Sequence, residues 1–162
     1  MKFAFIFAFI LPTLVFSQQT AWFADAKLGI FIHWGMYAVD GTSESWAFHN
    51  RTVPYKQYMS QMKGFAAENY NPIAWAQLIK ESGAKYCVIT TKHHDGLALY
   101  DTKFKTPQAP KQKNWNPKFP LSTTYQTPIK KDVISPLFQA LEKEDIKKGA
   151  YYSLLDWSSH DY

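Results

Sequence analysis

The chain has 162 residues, 46% of them hydrophobic and 17% aromatic, and carries a formal charge of +5 with histidine neutral. A single cysteine, Cys87, excludes a disulfide framework, so stability has to come from an apolar core. The basic excess is concentrated between Thr102 and Pro120, where five lysines and four prolines stand without an acid; with no accompanying fold motif this reads as a solvated loop, and no nucleic-acid partner is expected.

Met1-Lys2, the apolar run Phe3 to Phe16 and the exit Ser17-Gln18 have the charged start, short apolar region and small-residue end of a secretory signal. Residues 1–17 are therefore expected to be removed, leaving a mature chain from about Gln18 with 17 basic and 13 acidic side chains. The run is short for a membrane span, which needs about 20 apolar residues, and no second one follows, so no stable membrane anchor is expected. A retained anchor is the alternative. Export places the protein outside the cell or in the periplasm, or in the lysosome of an animal source.

The first strand is expected over Gly29 to His33, followed by a long polar excursion, Met36 to Val53, that carries Glu44, Trp46, Phe48, His49 and the glycosylation sequon Asn50-Arg51-Thr52. Pro54 to Gln61 reads as a short helix. Asn71-Pro72 marks a clearer helix start, with Asn as cap and Pro at the first helical position; Ile73, Trp75-Ala76 and Ile79 give it one apolar face, and Gly83 stops it. A second strand is expected over Lys85 to Thr91. Asp132 caps a further helix through Ile134, Leu137-Phe138 and Leu141, with Pro136 in its first turn, and a third strand covers Gly149 to Leu155. The strands are nearly continuous apolar runs, which predicts burial on both faces. Strand, helix, strand, helix, strand is the right-handed crossover pattern of a parallel α/β sheet.

Polar and aromatic groups follow each strand at the same end: His33-Trp34 after the first, Lys92-His93-His94-Asp95-Gly96 after the second, Asp156-Trp157 after the third. The bland reading is that they are solvated loop residues. In parallel α/β folds, however, the C-terminal strand ends carry the site, and three such ends describe one shared site.

Five ordered blocks carry a family resemblance: Trp22-Phe23 with Ala26 to Gly35; Trp75-Ala76 before Gly83-Ala84-Lys85-Tyr86; Thr91 to Gly96; Lys131-Asp132; and Gly149 with Tyr151-Tyr152-Ser153 and Asp156-Trp157. Together they resemble the N-terminal part of the α-L-fucosidases of glycoside hydrolase family 29. The resemblance implies a (β/α)8 TIM-like barrel, of which this chain has about three βα units and is incomplete, residues 18–162 being the N-terminal part of the catalytic barrel. It implies an exo-acting, retaining glycosidase that releases terminal α-L-fucose from a fucosylated glycan, with no cofactor and no metal. His33, His93, His94 and Tyr151 match side chains lining the fucose pocket, and Trp46 matches the pocket tryptophan. Neutral donors and acceptors suit sugar hydroxyls, and an aromatic ring suits the apolar face and the C6 methyl.

Two departures stand out. Ser45 lies between Glu44 and Trp46 where the family often has Glu directly before Trp, so Glu44 is not carried over. A retaining glycosidase also needs a nucleophile and an acid/base, which the resemblance places beyond Tyr162, leaving Asp95 and Asp156 to hold an imidazole or cap a loop. A closed barrel needs about 250 residues, so the chain is expected to be a fragment or to need another chain. Two other function classes stay open: a non-catalytic fucose-binding module, and a metallohydrolase with His33, His93, His94 and Asp95 as ligands. Adjacent histidines on one strand point to opposite faces unless the strand has already bent, which weakens the second.

Overall fold

The computed structural model describes residues 21–102, 124 and 127–158. The expected signal segment 1–17 and most of the Lys- and Pro-rich loop lie outside the described residues.

A short helix, α1 (Ala21–Ala26), precedes β1 (Gly29–Ile32). The polar excursion is more ordered than its composition implies: it holds a 3-10 turn, Met36–Ala38, and one helical turn, α2 (Trp46–His49). Then come α3 (Tyr55–Ser60), which Pro54 precedes, and a 3-10 turn at Gln61–Gly64. Helix α4 (Pro72–Glu81) starts as expected, with Asn71 Oδ1 accepting from the amides of Ile73 and Ala74 at 3.1 Å each. It stops before Gly83, whose φ of +83° is the left-handed conformation in which glycine has no steric cost.

Strand β2 (Tyr86–Lys92) pairs in parallel with β1 on one side and with β3 (Lys147–Tyr152) on the other, giving the order β1-β2-β3. Helix α5 (Ile134–Lys143) links β2 to β3, and Asp132 caps it: its Oδ1 accepts from Ile134 N at 2.7 Å and Ser135 N at 2.9 Å. Cys87 and Ile89 of β2 share one buried cluster with Ala76 and Ile79 of α4 and Val133, Leu137 and Leu141 around α5. Burial pushes the Cys87 thiol up to about 11, so it behaves as a small apolar side chain.

Two expectations are corrected. The third strand begins at Lys147 and ends at Tyr152, and Leu154 and Leu155 are exposed loop residues. Its first residues are lysines that ride on long stems: Lys148 Nζ reaches Glu142 Oε2 at 2.9 Å and Lys147 Nζ sits 5.2 Å from the Trp22 ring. Secondly, burial on both faces holds only for β2. Among the described residues, helices cover one side of the sheet, while Phe31 is 52% and Tyr151 42% exposed on the other.

Candidate functional site

The three strand ends converge. His33 and His93 follow β1 and β2 directly, and Tyr151 sits near the end of β3; their ring centroids lie 5.2 Å (His33–His93), 6.0 Å (His33–Tyr151) and 6.4 Å (His93–Tyr151) apart. Phe31 underlies the group, 4.9 Å from His33 and 5.4 Å from Tyr151. His94 is 5.0 Å from His93, because β2 ends at Lys92 and the alternation of a strand no longer separates neighbours. The exception to the opposite-face rule for adjacent strand residues therefore applies here. Even so, among the described residues no three His, Cys, Asp or Glu side chains converge as a ligand set.

The patch continues through Trp157, whose ring stacks on His94 (4.0 Å, 14°) and on His49 (4.2 Å, 25°). Trp46 meets Trp157 edge-on at 4.8 Å and is 46% exposed. So the five residues proposed from sequence join one aromatic surface, Trp46 through Trp157 and not through the first two imidazoles. Trp157 had stood out as a strand-end residue and within a family block but not as a site residue, and its stacking partners lie 63 and 108 positions away in sequence, His94 and His49 respectively.

All three site imidazoles are held by Nδ1. His33 Nδ1 bonds Glu44 Oε1 at 3.0 Å, His93 Nδ1 bonds Ser45 Oγ at 2.6 Å, and His94 Nδ1 donates to Leu155 O at 3.0 Å. Fixing one nitrogen sets the ring's orientation and leaves Nε2 as the ring atom with which to meet another group. Glu44, set aside from sequence because Ser45 separates it from Trp46, thus serves His33, while Ser45 serves His93. Two consecutive residues leading into α2 orient imidazoles from two different strands. Nothing in the spacing could have announced this, since the partners lie 11 and 48 positions apart.

Below the imidazoles is a buried polar layer. Asp95 is 1% exposed, its Oδ1 accepting from Leu97 N at 3.0 Å and its Oδ2 from Tyr58 OH at 2.8 Å. Asp156 Oδ1 accepts from Ser158 N at 2.9 Å and Ser158 Oγ at 2.5 Å. Both carboxylates therefore cap loops, as the sequence led us to expect of them. Gly96 separates them with φ +83°, and a Cβ there would stand 2.7 Å from both Asp156 Oδ2 and Ser158 Oγ, so only glycine fits.

Burial and the neighbouring His33 and His94 push His93 down to about 4, and burial pushes Asp95 up to about 6. The two shifts bear on stability with opposite signs. His93 holds its proton more weakly folded than unfolded, so its stabilising contribution is complete above about pH 6.5 and is lost as pH falls through 4. Asp95 holds its proton more tightly when folded, so its contribution is complete below its ordinary value and is lost as pH rises through 6. Urea midpoints at pH 4, 5 and 6 check this. Relative to the unaltered protein, Asp95→Asn should lose up to about 1.4 kcal/mol per pH unit as pH falls, and His93→Gln should gain about as much. Parallel profiles for all three proteins would show that neither group titrates as described.

The family model for α-L-fucosidase matches residues 12–162. Tissue α-L-fucosidase of Bos taurus is 34% identical over 161 residues, covering 90% of this chain and 31% of the relative. α-L-Fucosidase isoenzyme 1 of Paenibacillus thiaminolyticus superposes with a TM-score of 0.72 at 35% identity, over 90% of this chain and 31% of that one. A family 29 α-L-fucosidase of Bacteroides thetaiotaomicron, solved as a trapped covalent intermediate with 2-fluoro-fucosyl fluoride, superposes at 0.68 with 33% identity, over 86% and 31%. The chain thus spans about a third of the length of the relatives it matches.

Proposed function

The chain belongs to the α-L-fucosidase family, and from that premise we propose that its strand ends form the sugar-binding half of an exo-acting, retaining glycosidase that releases terminal α-L-fucose from fucosylated glycans. The observation that carries this reading is the gathering of His33, His93 and Tyr151 from three successive parallel strands, with ring centroids 5.2 to 6.4 Å apart. Three Nε2 atoms and a phenol are the neutral donors and acceptors that sugar hydroxyls require, and Trp46 and Trp157 offer apolar faces for the C6 methyl and the ring. Contacts that tighten as the sugar flattens toward an oxocarbenium-like state contribute to rate as well as binding. In this reading the sheet is the first part of a (β/α)8-like barrel with Phe31 and Tyr151 on its inner face, and residues 1–17 export the protein to its glycans.

Double displacement needs two carboxyl groups about 5 to 5.5 Å apart. Asp95 and Asp156 are committed to loop caps, which assigns the described residues to binding and gives a second reading, a module that binds fucose without cleaving it, its footing. Binding itself is tested by titrating the chain with L-fucose, with L-galactose, which replaces the methyl by a hydroxymethyl, as comparator. L-Fucose should bind more tightly. His94→Ala should weaken it about tenfold, the worth of one hydrogen bond, with only a small fall in melting temperature from the lost Trp157 stack and Leu155 bond. Equal binding of the two sugars, or unaltered binding by the variant, would sink the reading.

A further inference from the structure

Two of the three site imidazoles have their proton placed by the group they bond. His33 Nδ1 lies 3.0 Å from Glu44 Oε1, and His94 Nδ1 lies 3.0 Å from the Leu155 carbonyl oxygen. A carboxylate and a backbone carbonyl have lone pairs and no proton, so each can only accept, and each Nδ1 has to donate. A neutral imidazole carries a single N–H, which leaves Nε2 of both rings with a lone pair and nothing to give. His93 differs, because its Nδ1 meets the Ser45 hydroxyl, which can act either way. Among the described residues Nε2 of His33 and Nε2 of His94 make no hydrogen bond. Both rings pack against His93, with centroids 5.2 Å and 5.0 Å from it. We propose that His33 and His94 are both Nδ1–H tautomers whose Nε2 can only accept, with Glu44 as the residue that positions the His33 proton, so that the site selects a sugar by two hydroxyls that donate. The ligand half of this statement rests on the fucose-binding reading above. A hydroxyl has one proton, so one hydroxyl cannot serve both rings and two different ones are needed.

The test is long-range proton–nitrogen NMR on the full chain labelled at histidine, at about pH 8, where imidazoles are ordinarily neutral, and first without sugar. His33 and His94 should each show an Nδ1 with the shift of an N–H and an Nε2 with that of an unprotonated ring nitrogen. Glu44→Gln, whose amide can donate as well as accept, should move His33 toward a mixture of tautomers. His94, held by a backbone carbonyl, should keep its pattern in that variant and so reports that the fold is intact. An Nε2–H on either ring of the unaltered protein overturns the tautomers, and a folded Glu44→Gln with an unshifted His33 overturns the positioning role of Glu44. Methyl α-L-fucoside is added next, together with its deoxyfluoro analogues at C2, C3 and C4, since fluorine takes the place of a hydroxyl and cannot donate. Two of the three analogues should bind about tenfold more weakly than the parent. In His94→Ala one of those two losses should shrink to within about twofold, because the acceptor that hydroxyl served is gone. Fewer than two weakened analogues, or losses unchanged by His94→Ala, would overturn the donor requirement while the tautomers stand. A parent glycoside that does not bind at all would sink the fucose reading and the ligand half of the proposal with it.

Discussion

Replacing Lys92 with Met should lower the stability of the fold by about 2 to 4 kcal/mol, read as a fall in the urea midpoint, with faster amide exchange across Ser153 to Trp157. Lys92 is 7% exposed, and its ammonium stands at the junction of β2 and β3: Nζ donates to Ser153 O at 2.7 Å, Leu155 O at 3.3 Å and His93 O at 3.4 Å. It also lies 5.0 Å from the Tyr152 ring. Burial depresses its basicity, and the Asp156 and Asp95 carboxylates pull it back up, so the cation persists because its surroundings are built for it. Met fills the volume but donates nothing: Ser153 O loses its 2.7 Å donor, while Leu155 O keeps His94 Nδ1 and His93 O keeps Gly96 N, and two acids are left short of a counter-charge. The segment it releases carries Trp157, on which His94 stacks, so fucose binding should weaken too. A Met variant as stable as the original would mean that apolar packing offsets the lost donors and that the ammonium is retained for the site.

How much of this was legible in the sequence depends on the range of the interaction. The helix starts at Asn71 and Asp132, the stop at Gly83 and the buried Cys87 were readable because caps and apolar periods act within a few residues. The convergence of three strand ends was readable too, since topology alone places them together. The third strand was misplaced because pattern reading rewards apolar residues, whereas this strand begins with Lys147 and Lys148, whose stems lie along neighbouring groups, and leaves Leu154 and Leu155 in a loop.

The least legible part is what holds the imidazoles. His93 and His94 were read as serving a ligand and not the fold, and the structure divides them. His94 is half-buried against Trp157, while His93 is 5% exposed and tied to Ser45, so its loss costs packing and a buried hydrogen bond whatever it does for a ligand. Glu44 and Ser45 looked like an interrupted motif when compared with the family pattern. In space they are one hydrogen-bond partner for each of two rings, a division of labour visible only once the strands are side by side.

Finally, a polypeptide of residues 18–162, assayed alone with a chromogenic α-L-fucoside, should release no product above background. The reaction's first step is attack by a carboxylate on the anomeric carbon, and a second carboxyl group must protonate the leaving oxygen. Asp95 is enclosed beneath Gly96 with both oxygens bonded, Asp156 is drawn back onto Ser158, and Glu44 orients His33. Releasing any of them for chemistry would cost a cap or an imidazole its support. The sheet adds an independent reason: with Phe31 and Tyr151 half exposed on its uncovered face, sugar held there stays open to water, which weakens every polar contact that would stabilise the transition state. Weak binding at the millimolar level, worth about 4 kcal/mol, remains compatible with all of this. The Paenibacillus thiaminolyticus enzyme, run in parallel, supplies the positive control. Turnover by the short polypeptide that disappears in Asp95→Asn or Asp156→Asn, with the fold intact by circular dichroism, would show that one of these capping carboxylates is the nucleophile after all.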